Sequence, residues 1–157
     1  MDEVARELLA LLERATPVPV EHDPEWPSVC EQLPADEAGF VRWRPVPMEP
    51  PAAFEGIALY SSLRAFYGSF WSGAVAGRHS EEVVGLSLAW NEADLVRITE
   101  TLRSQIAAGE PVFVAHTNSD WFFGVDNNTG TVYLCEPGRP PVREVAPSLA
   151  AFLAGVS

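Results

Sequence analysis

Proline is concentrated in one stretch of this 157-residue chain, and that stretch limits the fold more than any other sequence feature. Nine of the 14 prolines lie between Pro17 and Pro51. Each proline fixes its φ angle and lacks a backbone N–H, so no long helix can form across the segment. We therefore expect one domain, residues 1–157, with an N-terminal helix in 1–16, a proline-rich acidic segment in 17–51 and the main α+β core in 52–157.

The proline-rich segment also carries much of the negative charge. Glu21–Glu37 contains six acidic residues and no arginine or lysine. Residues 1–55 have twelve acidic side chains against four arginines, a net charge of −8 out of −12 for the whole chain. We expect an ordered loop rather than a linker here, because four apolar side chains could anchor it to a core: Val20, Trp26, Val29 and Leu33.

Two segments predict helices by their apolar spacing. Asp2–Arg14 has leucines and valine at intervals of three and four residues, and Pro17 ends the pattern. The clearest helix begins at Asn91, a favourable N-cap with Asp94 at its N3 position, and Gly109 with Pro111 ends it. Its apolar face is formed by Leu95, Ile98, Leu102 and Ile106.

The remaining pattern predicts strands and short helices. The predicted strands are Phe40–Arg44, Tyr67–Ala76, Glu82–Trp90, Val112–His116, Trp121–Asp126 and Thr131–Cys135, and the predicted short helices are Phe54–Phe66 and a segment from Pro147 at N1 to Leu153. The order is not a regular βαβ alternation. It favours an α+β fold in a single domain, with a mixed or antiparallel sheet of about five to six strands packed with about four helices.

The charge balance excludes some partners and favours others. The chain has 22 acidic residues against ten basic ones, all arginine, and a net charge of −12. Such a field repels phosphate, so we expect no nucleic-acid partner and no direct lipid binding, whereas a basic protein partner is attracted. The first residues show no signal peptide, and the two cysteines stand far apart, so we expect a cytoplasmic protein with reduced thiols.

The motifs of common active sites are missing. The sequence contains no GxGxxG, no Walker A and no GxSxG pattern, and no metal-binding spacing links His22, His79 and His116. Cys30 and Cys135 have no neighbouring base that would make them nucleophiles. We therefore predict no enzyme, and no catalytic, cofactor-binding or metal-ligating residue.

The order and spacing of eight segments resemble the Syd family, within the SMI1/SUFU/Syd (SUKH) superfamily. No single segment is specific, but together they cover the chain from about Trp26 to its end. The matching segments are Trp26–Pro27, Val41–Pro45, Leu59–Gly73, Leu86–Leu95, Pro111–Ala115, Val125–Val132, Glu136–Gly138 and Pro147–Leu153.

The resemblance implies an α+β fold and a non-enzymatic cytoplasmic protein, held at the inner face of the plasma membrane through a protein partner. The implied partner is the translocon subunit SecY, whose basic cytoplasmic loops would enter an acidic groove and whose assembly would be regulated or quality-controlled. Cytoplasmic loops of membrane proteins are rich in lysine and arginine, which agrees with the charge count. The superfamily also leaves open an immunity protein that neutralises a basic toxin, for example a nuclease.

Seven side chains are the predicted partner contacts, and no cofactor is expected. Acidic side chains would steer a basic segment towards the protein, and exposed tryptophans would hold it. The acids at the start of the long helix could instead serve only the helix dipole, and the acid before the Asn-Asn-Thr-Gly turn could serve only that turn. The predicted contacts are Asp36, Glu37, Trp71, Trp90, Glu92, Asp94 and Asp126.

Overall fold

The computed structural model describes all residues, Met1–Ser157, as one α+β domain, which confirms the predicted fold class. Four α-helices and one 3₁₀ turn, Ala52–Phe54, accompany the strands. The helices are α1 (Glu3–Arg14), α2 (Ser61–Gly68), α3 (Glu92–Ala108) and α4 (Leu149–Ala154).

The main sheet has seven strands rather than five or six, and all its pairings are antiparallel. Its strands, in spatial order, are β1 (Thr16–Pro17), β7 (Val75–His79), β8 (Glu82–Leu86), β9 (Val112–His116), β10 (Phe122–Val125), β11 (Val132–Cys135) and β12 (Arg143–Ala146). Two small sheets lie beside it. They are β2 (Val20–Glu21), β4 (Phe40–Trp43) and β3 (Glu31–Gln32), and β5 (Val46–Pro47) with β6 (Phe70–Trp71).

The two helices predicted from their apolar spacing are confirmed, including their ends. Asp2 caps α1 by accepting a hydrogen bond from Val4 N–H (2.8 Å). Asn91 caps α3 in the same way, and Gly109 ends it in the left-handed region (φ 70°). Their buried faces belong to one apolar core of 35 residues that also includes the sheet, α2 and α4. This core is the frame on which the other segments are placed.

Several boundaries predicted from the sequence are wrong. No helix spans Phe54–Phe66, because Gly56 has a positive φ (78°) that interrupts it, and α2 begins only at Ser61. Since α2 runs to Gly68, the single strand predicted over Tyr67–Ala76 is replaced by β6 and β7, which begin at Phe70 and Val75 and lie in different sheets. The strand predicted over Glu82–Trp90 ends at Leu86. Pro147 is not the first helical residue: Ser148 is the N-cap of α4, and its hydroxyl accepts from Ala151 N–H.

The proline-rich segment contains no helix, as predicted, but it is anchored differently from the expectation. Val20 is half-buried, whereas the side chains of Trp26, Val29 and Leu33 are 44%, 67% and 61% exposed. The predicted anchoring by these three residues is therefore wrong. Short backbone ladders order the segment instead, together with the buried residues Cys30 and Val41.

No helix of the chain combines the length and the apolar character needed to cross a membrane.

Candidate functional site: an acidic groove

A groove of about 690 Å³ lies where the proline-rich segment faces the start of α3. We call it the acidic groove, because carboxylates outnumber arginines four to one along it. Residues 20–31 form one side, here called the proline-rich wall, and residues 87–97 form the other, the core wall. The lining residues are Val20, Glu21, His22, Asp23, Pro24, Trp26, Glu31, Ser72, Gly73, Ala74, Ser87, Leu88, Trp90, Asp94 and Arg97.

The proline-rich wall is organised around the carboxylate of Glu31. One of its oxygens lies 2.5 Å from His22 Nδ1, and the other accepts the backbone N–H of Ser28 (2.8 Å). The Glu31 side chain is only 4% exposed. A buried carboxylate is tolerated when its oxygens have such partners, so these contacts hold the two ends of the wall together.

The core wall is organised around the N-terminus of α3. Asn91 Oδ1 accepts from Asp94 N–H (3.0 Å), and Asp94 Oδ2 accepts from Trp90 N–H (3.1 Å). The second Asp94 oxygen lies 3.4 Å from the guanidinium of Arg97. The predicted cap at Asn91 is thereby confirmed, and the exchange of hydrogen bonds is that of a capping box shifted by one residue.

Two contacts connect the walls with each other and with the floor. Asn91 Nδ2 donates to the carbonyl of Pro27 on the opposite wall (3.3 Å). Trp90 meets Trp43 edge to face, with ring centroids 6.3 Å apart, and Trp43 lies against the floor at Gly73. A Cβ at Gly73 would lie 2.6 Å from a Trp43 ring carbon, so only glycine permits this approach.

The four carboxylates of the groove are not equally available to a partner. Glu31 is occupied by His22 and Ser28, and Asp94 by Arg97 and the helix cap. Glu21 and Asp23 are exposed and take part in no ion pair of the chain, although Asp23 Oδ1 accepts the backbone N–H of Glu25 (2.9 Å) in a local turn. The uncompensated negative charge therefore comes from the proline-rich wall.

A second concavity, of about 450 Å³, adjoins the groove, and Trp90 lines both. We call it the apolar cleft, because two tryptophans, a valine and a proline line it beside a single carboxylate. Its lining residues are Pro27, Ser28, Val29, Trp71, Trp90, Asn91 and Glu92.

The structure brings four of the seven predicted contacts together and leaves three elsewhere. Trp90 and Asp94 line the acidic groove, while Trp71 and Glu92 join Trp90 in the apolar cleft. Trp90 is buried rather than exposed as expected, because it packs against Trp43. The other three predicted contacts, Asp36, Glu37 and Asp126, line neither.

Asp36 and Asp126 are engaged in turns. Asp36 accepts the N–H groups of Ala38 and Phe40, and Asp126 accepts those of Asn128 and Thr129. These are local side-chain-to-backbone bonds of the kind that favours aspartate in turns. A partner contact for these residues or for Glu37 stays a prediction.

The groove residues of the proline-rich wall and Arg97 are not among the contacts predicted from the sequence. The six-acid run from Glu21 to Glu37 and the Trp26–Pro27 pair were available signals. They identify the segment but not the side chains that face α3, because that depends on how the segment folds back over the core. Arg97 carried no signal beyond its place three residues after Asp94.

The structure shows neither an activated cysteine nor a cluster of metal ligands. Burial raises the pKa of the Cys30 thiol, and it raises the pKa of Cys135 to about 11, so both are protonated thiols at neutral pH. No group of three histidine, cysteine, aspartate or glutamate side chains comes close enough to hold a metal ion. The arrangement is suited to binding a positively charged segment.

Comparison with known proteins gives consistent matches along the chain. The family model described as "Syd protein (SUKH-2)" matches residues 3–157, so the match includes helix α1 as well as the segments from Trp26 onwards. A Protein Syd of Hahella chejuensis is 35% identical over 138 residues, which cover 80% of this chain and 72% of the relative. A Protein Syd of Pseudoalteromonas atlantica is 29% identical over 149 residues, covering 85% of this chain and 80% of the relative.

Proposed function

This chain belongs to the Syd (SUKH-2) family, and from that premise we propose that it is a binding protein whose acidic groove receives a basic segment of a protein partner. The observation that carries the proposal is the pair of exposed, unpaired carboxylates, Glu21 and Asp23, on the wall of a groove that also contains two tryptophans. Unpaired charge in a concave site attracts the opposite charge from a distance, and tryptophan supplies contact area once the partner has arrived.

The partner that family membership implies is SecY, through its basic cytoplasmic loops. Loops on that side of a membrane protein are enriched in lysine and arginine. Binding there would place this protein at the cytoplasmic face of the membrane through its partner, with a regulatory or quality-control role and without catalysis.

Binding to synthetic peptides of SecY cytoplasmic loops, measured by fluorescence anisotropy at low and high salt, tests the proposal. We expect saturable binding at low salt that weakens strongly as salt is added, because the charges lie near the surface. The double variant Glu21→Gln/Asp23→Asn should bind about fivefold more weakly, since each exposed pair contributes only ~0.2–1 kcal/mol.

A matched control removes the same charge elsewhere. Glu49 and Glu55 are exposed and line neither concavity, so Glu49→Gln/Glu55→Gln changes the net charge equally outside the groove. We expect this control to bind like the unchanged protein. Equal weakening by both double variants would show that total charge, not the groove, governs binding. A chain that ignores the loops but binds a basic nuclease would instead be an immunity protein.

A further inference from the structure

The apolar cleft lies directly beside the acidic groove, and its chemistry is different. Trp90 lines both concavities, and all their other lining residues differ. On one side of it lie the carboxylates, and on the other lie Trp71, Val29 and Pro27. The two concavities therefore share a boundary at Trp90.

Two apolar side chains of the proline-rich wall are exposed, Val29 in the apolar cleft and Trp26 in the acidic groove. Val29 is 67% exposed and Trp26 is 44% exposed, although contact with water is unfavourable for large apolar side chains. Leu33 and Phe40 of the same segment are exposed too, but they line neither concavity. Scattered exposed residues are ordinary, whereas apolar residues grouped around a concavity mark a binding surface.

The shape of the cleft is fixed before any partner binds. The hydrogen bond from Asn91 Nδ2 to the Pro27 carbonyl sets the separation of its two sides. The edge-to-face contact of Trp90 with Trp43 holds the shared tryptophan in place. A preformed site spares the partner the cost of ordering it, which favours affinity.

The lining indicates which side chain the cleft accepts. Glu92 is its only carboxylate and is exposed to solvent, and the remaining surface is mainly aromatic and aliphatic. A basic head group would lose hydration there without a buried acceptor, whereas a leucine-sized or larger apolar group would be removed from water.

We propose that the apolar cleft receives one large apolar side chain from the same segment whose basic residues enter the acidic groove. The partner is thus a basic segment with an apolar anchor next to its charges, not a basic segment alone. This inference rests on the proposed function and adds what determines the specificity of the same site. The charges govern the association rate, and the apolar anchor governs the dissociation rate.

Two short synthetic lysine-rich peptides test it, identical in length and charge, with serine or leucine at one central position. We expect the leucine peptide to bind about tenfold more tightly, which corresponds to burying one such side chain. We also expect the ratio between the two peptides to persist at high salt while both affinities fall, because apolar burial is not screened.

The variant Val29→Ser locates the effect, and Leu33→Ser is its matched control. Both residues are exposed, in the same segment and of similar polarity. The ratio of the affinity for the leucine peptide to that for the serine peptide should fall severalfold in Val29→Ser and stay unchanged in Leu33→Ser. Equal binding of the two peptides, or an advantage untouched by Val29→Ser, would overturn this inference while the proposed function stands. Binding of neither peptide at low salt would overturn the proposed function itself.

Discussion

The proline-rich wall of the acidic groove keeps its shape by polar contacts, whereas the core wall rests on packed apolar side chains. Residues 20–31 contain one buried apolar residue, Cys30, and depend on the Glu31 carboxylate and two-residue ladders. Across the groove, Leu88, Trp90 and Leu95 are buried. Regions with few buried apolar contacts open at lower free energy than the core. The negative charge that faces a partner thus lies on the less stable wall.

This division has a functional consequence. The end of the proline-rich wall that carries Glu21 and Asp23 has little apolar anchoring and can adjust to different partner segments. The hydrogen bond from Asn91 to Pro27 and the contact of Trp90 with Trp43 hold the cleft in place. The difference in packing also predicts different effects of substitution. Substitutions on the core wall should lower the stability of the whole protein, whereas substitutions on the proline-rich wall should open that wall locally.

The largest effect is expected from Trp90→Ala on the core wall. Trp90 is 8% exposed and packs against Trp43, so its loss leaves a cavity. The free energy of unfolding should fall by about 3–5 kcal/mol, the usual cost of truncating a buried tryptophan. Urea unfolding followed by far-UV circular dichroism measures it. A loss below about 1 kcal/mol would mean that the core wall is no better packed than the other one.

Glu31→Ala should loosen the proline-rich wall without unfolding the core. It removes the acceptor for His22 and for Ser28 N–H, which costs about 1–3 kcal/mol when the site is buried. Limited proteolysis with a glutamate-specific endoproteinase should show faster cleavage after Glu25, with little change in the far-UV spectrum. Glu37→Ala is the control, since that side chain is exposed and should leave the cleavage rate unchanged. A cooperative loss of all structure in Glu31→Ala would contradict the division between the walls.

Asn91→Ala tests the contact that joins the two walls. It removes the cap of α3, worth about 1 kcal/mol, and the hydrogen bond to Pro27. Ser148→Ala removes only the corresponding cap of α4. Both variants should lower the urea midpoint similarly, but only Asn91→Ala should also accelerate cleavage after Glu25. If the two variants are cleaved alike, Asn91 acts as a cap alone.

The same division explains what could be predicted from the sequence. Helices α1 and α3 were predictable because apolar periodicity and caps such as Asn91 are local signals. The proline-rich segment was predictable only as non-helical. Its placement depends on Glu31 finding His22 and Ser28, and on Asn91 reaching Pro27.

The residues of the candidate site also differ in how far the sequence predicts them. Trp90 and Asp94 were identified because they adjoin a recognisable helix start. Asp23 was one acid among six in a stretch without periodicity, and no local pattern shows which of those acids faces α3. Asp36 and Asp126 accept turn N–H groups, as Asp23 does, and a partner contact for Asp36 and Asp126 stays a prediction.

The smallest expected effect concerns pH, and it acts on the core away from the groove. His79 stacks on Phe152, with ring centroids 5.0 Å apart, and lies opposite Glu82 in the sheet. Burial and the nearby charge of Arg143 lower the pKa of His79 from its ordinary 6.5. Between the lowered pKa and 6.5 the unfolded chain binds more protons than the folded one. Above pH 6.5, His79 therefore does not change the free energy of unfolding. As the pH falls from 6.5 through the lowered pKa, protonation of His79 decreases this free energy.

Urea midpoints measured between neutral and mildly acidic pH check this expectation. His79→Phe keeps the stacking and should flatten the loss of stability on the acid side, and Arg143→Gln should reduce that loss partly by removing the nearby positive charge. Cleavage after Glu25 should follow the global midpoint rather than precede it, because His79 lies on the core sheet. If acid instead accelerated cleavage after Glu25 before the core unfolded, and His79→Phe did not prevent it, the pH-sensitive group would belong to the proline-rich wall.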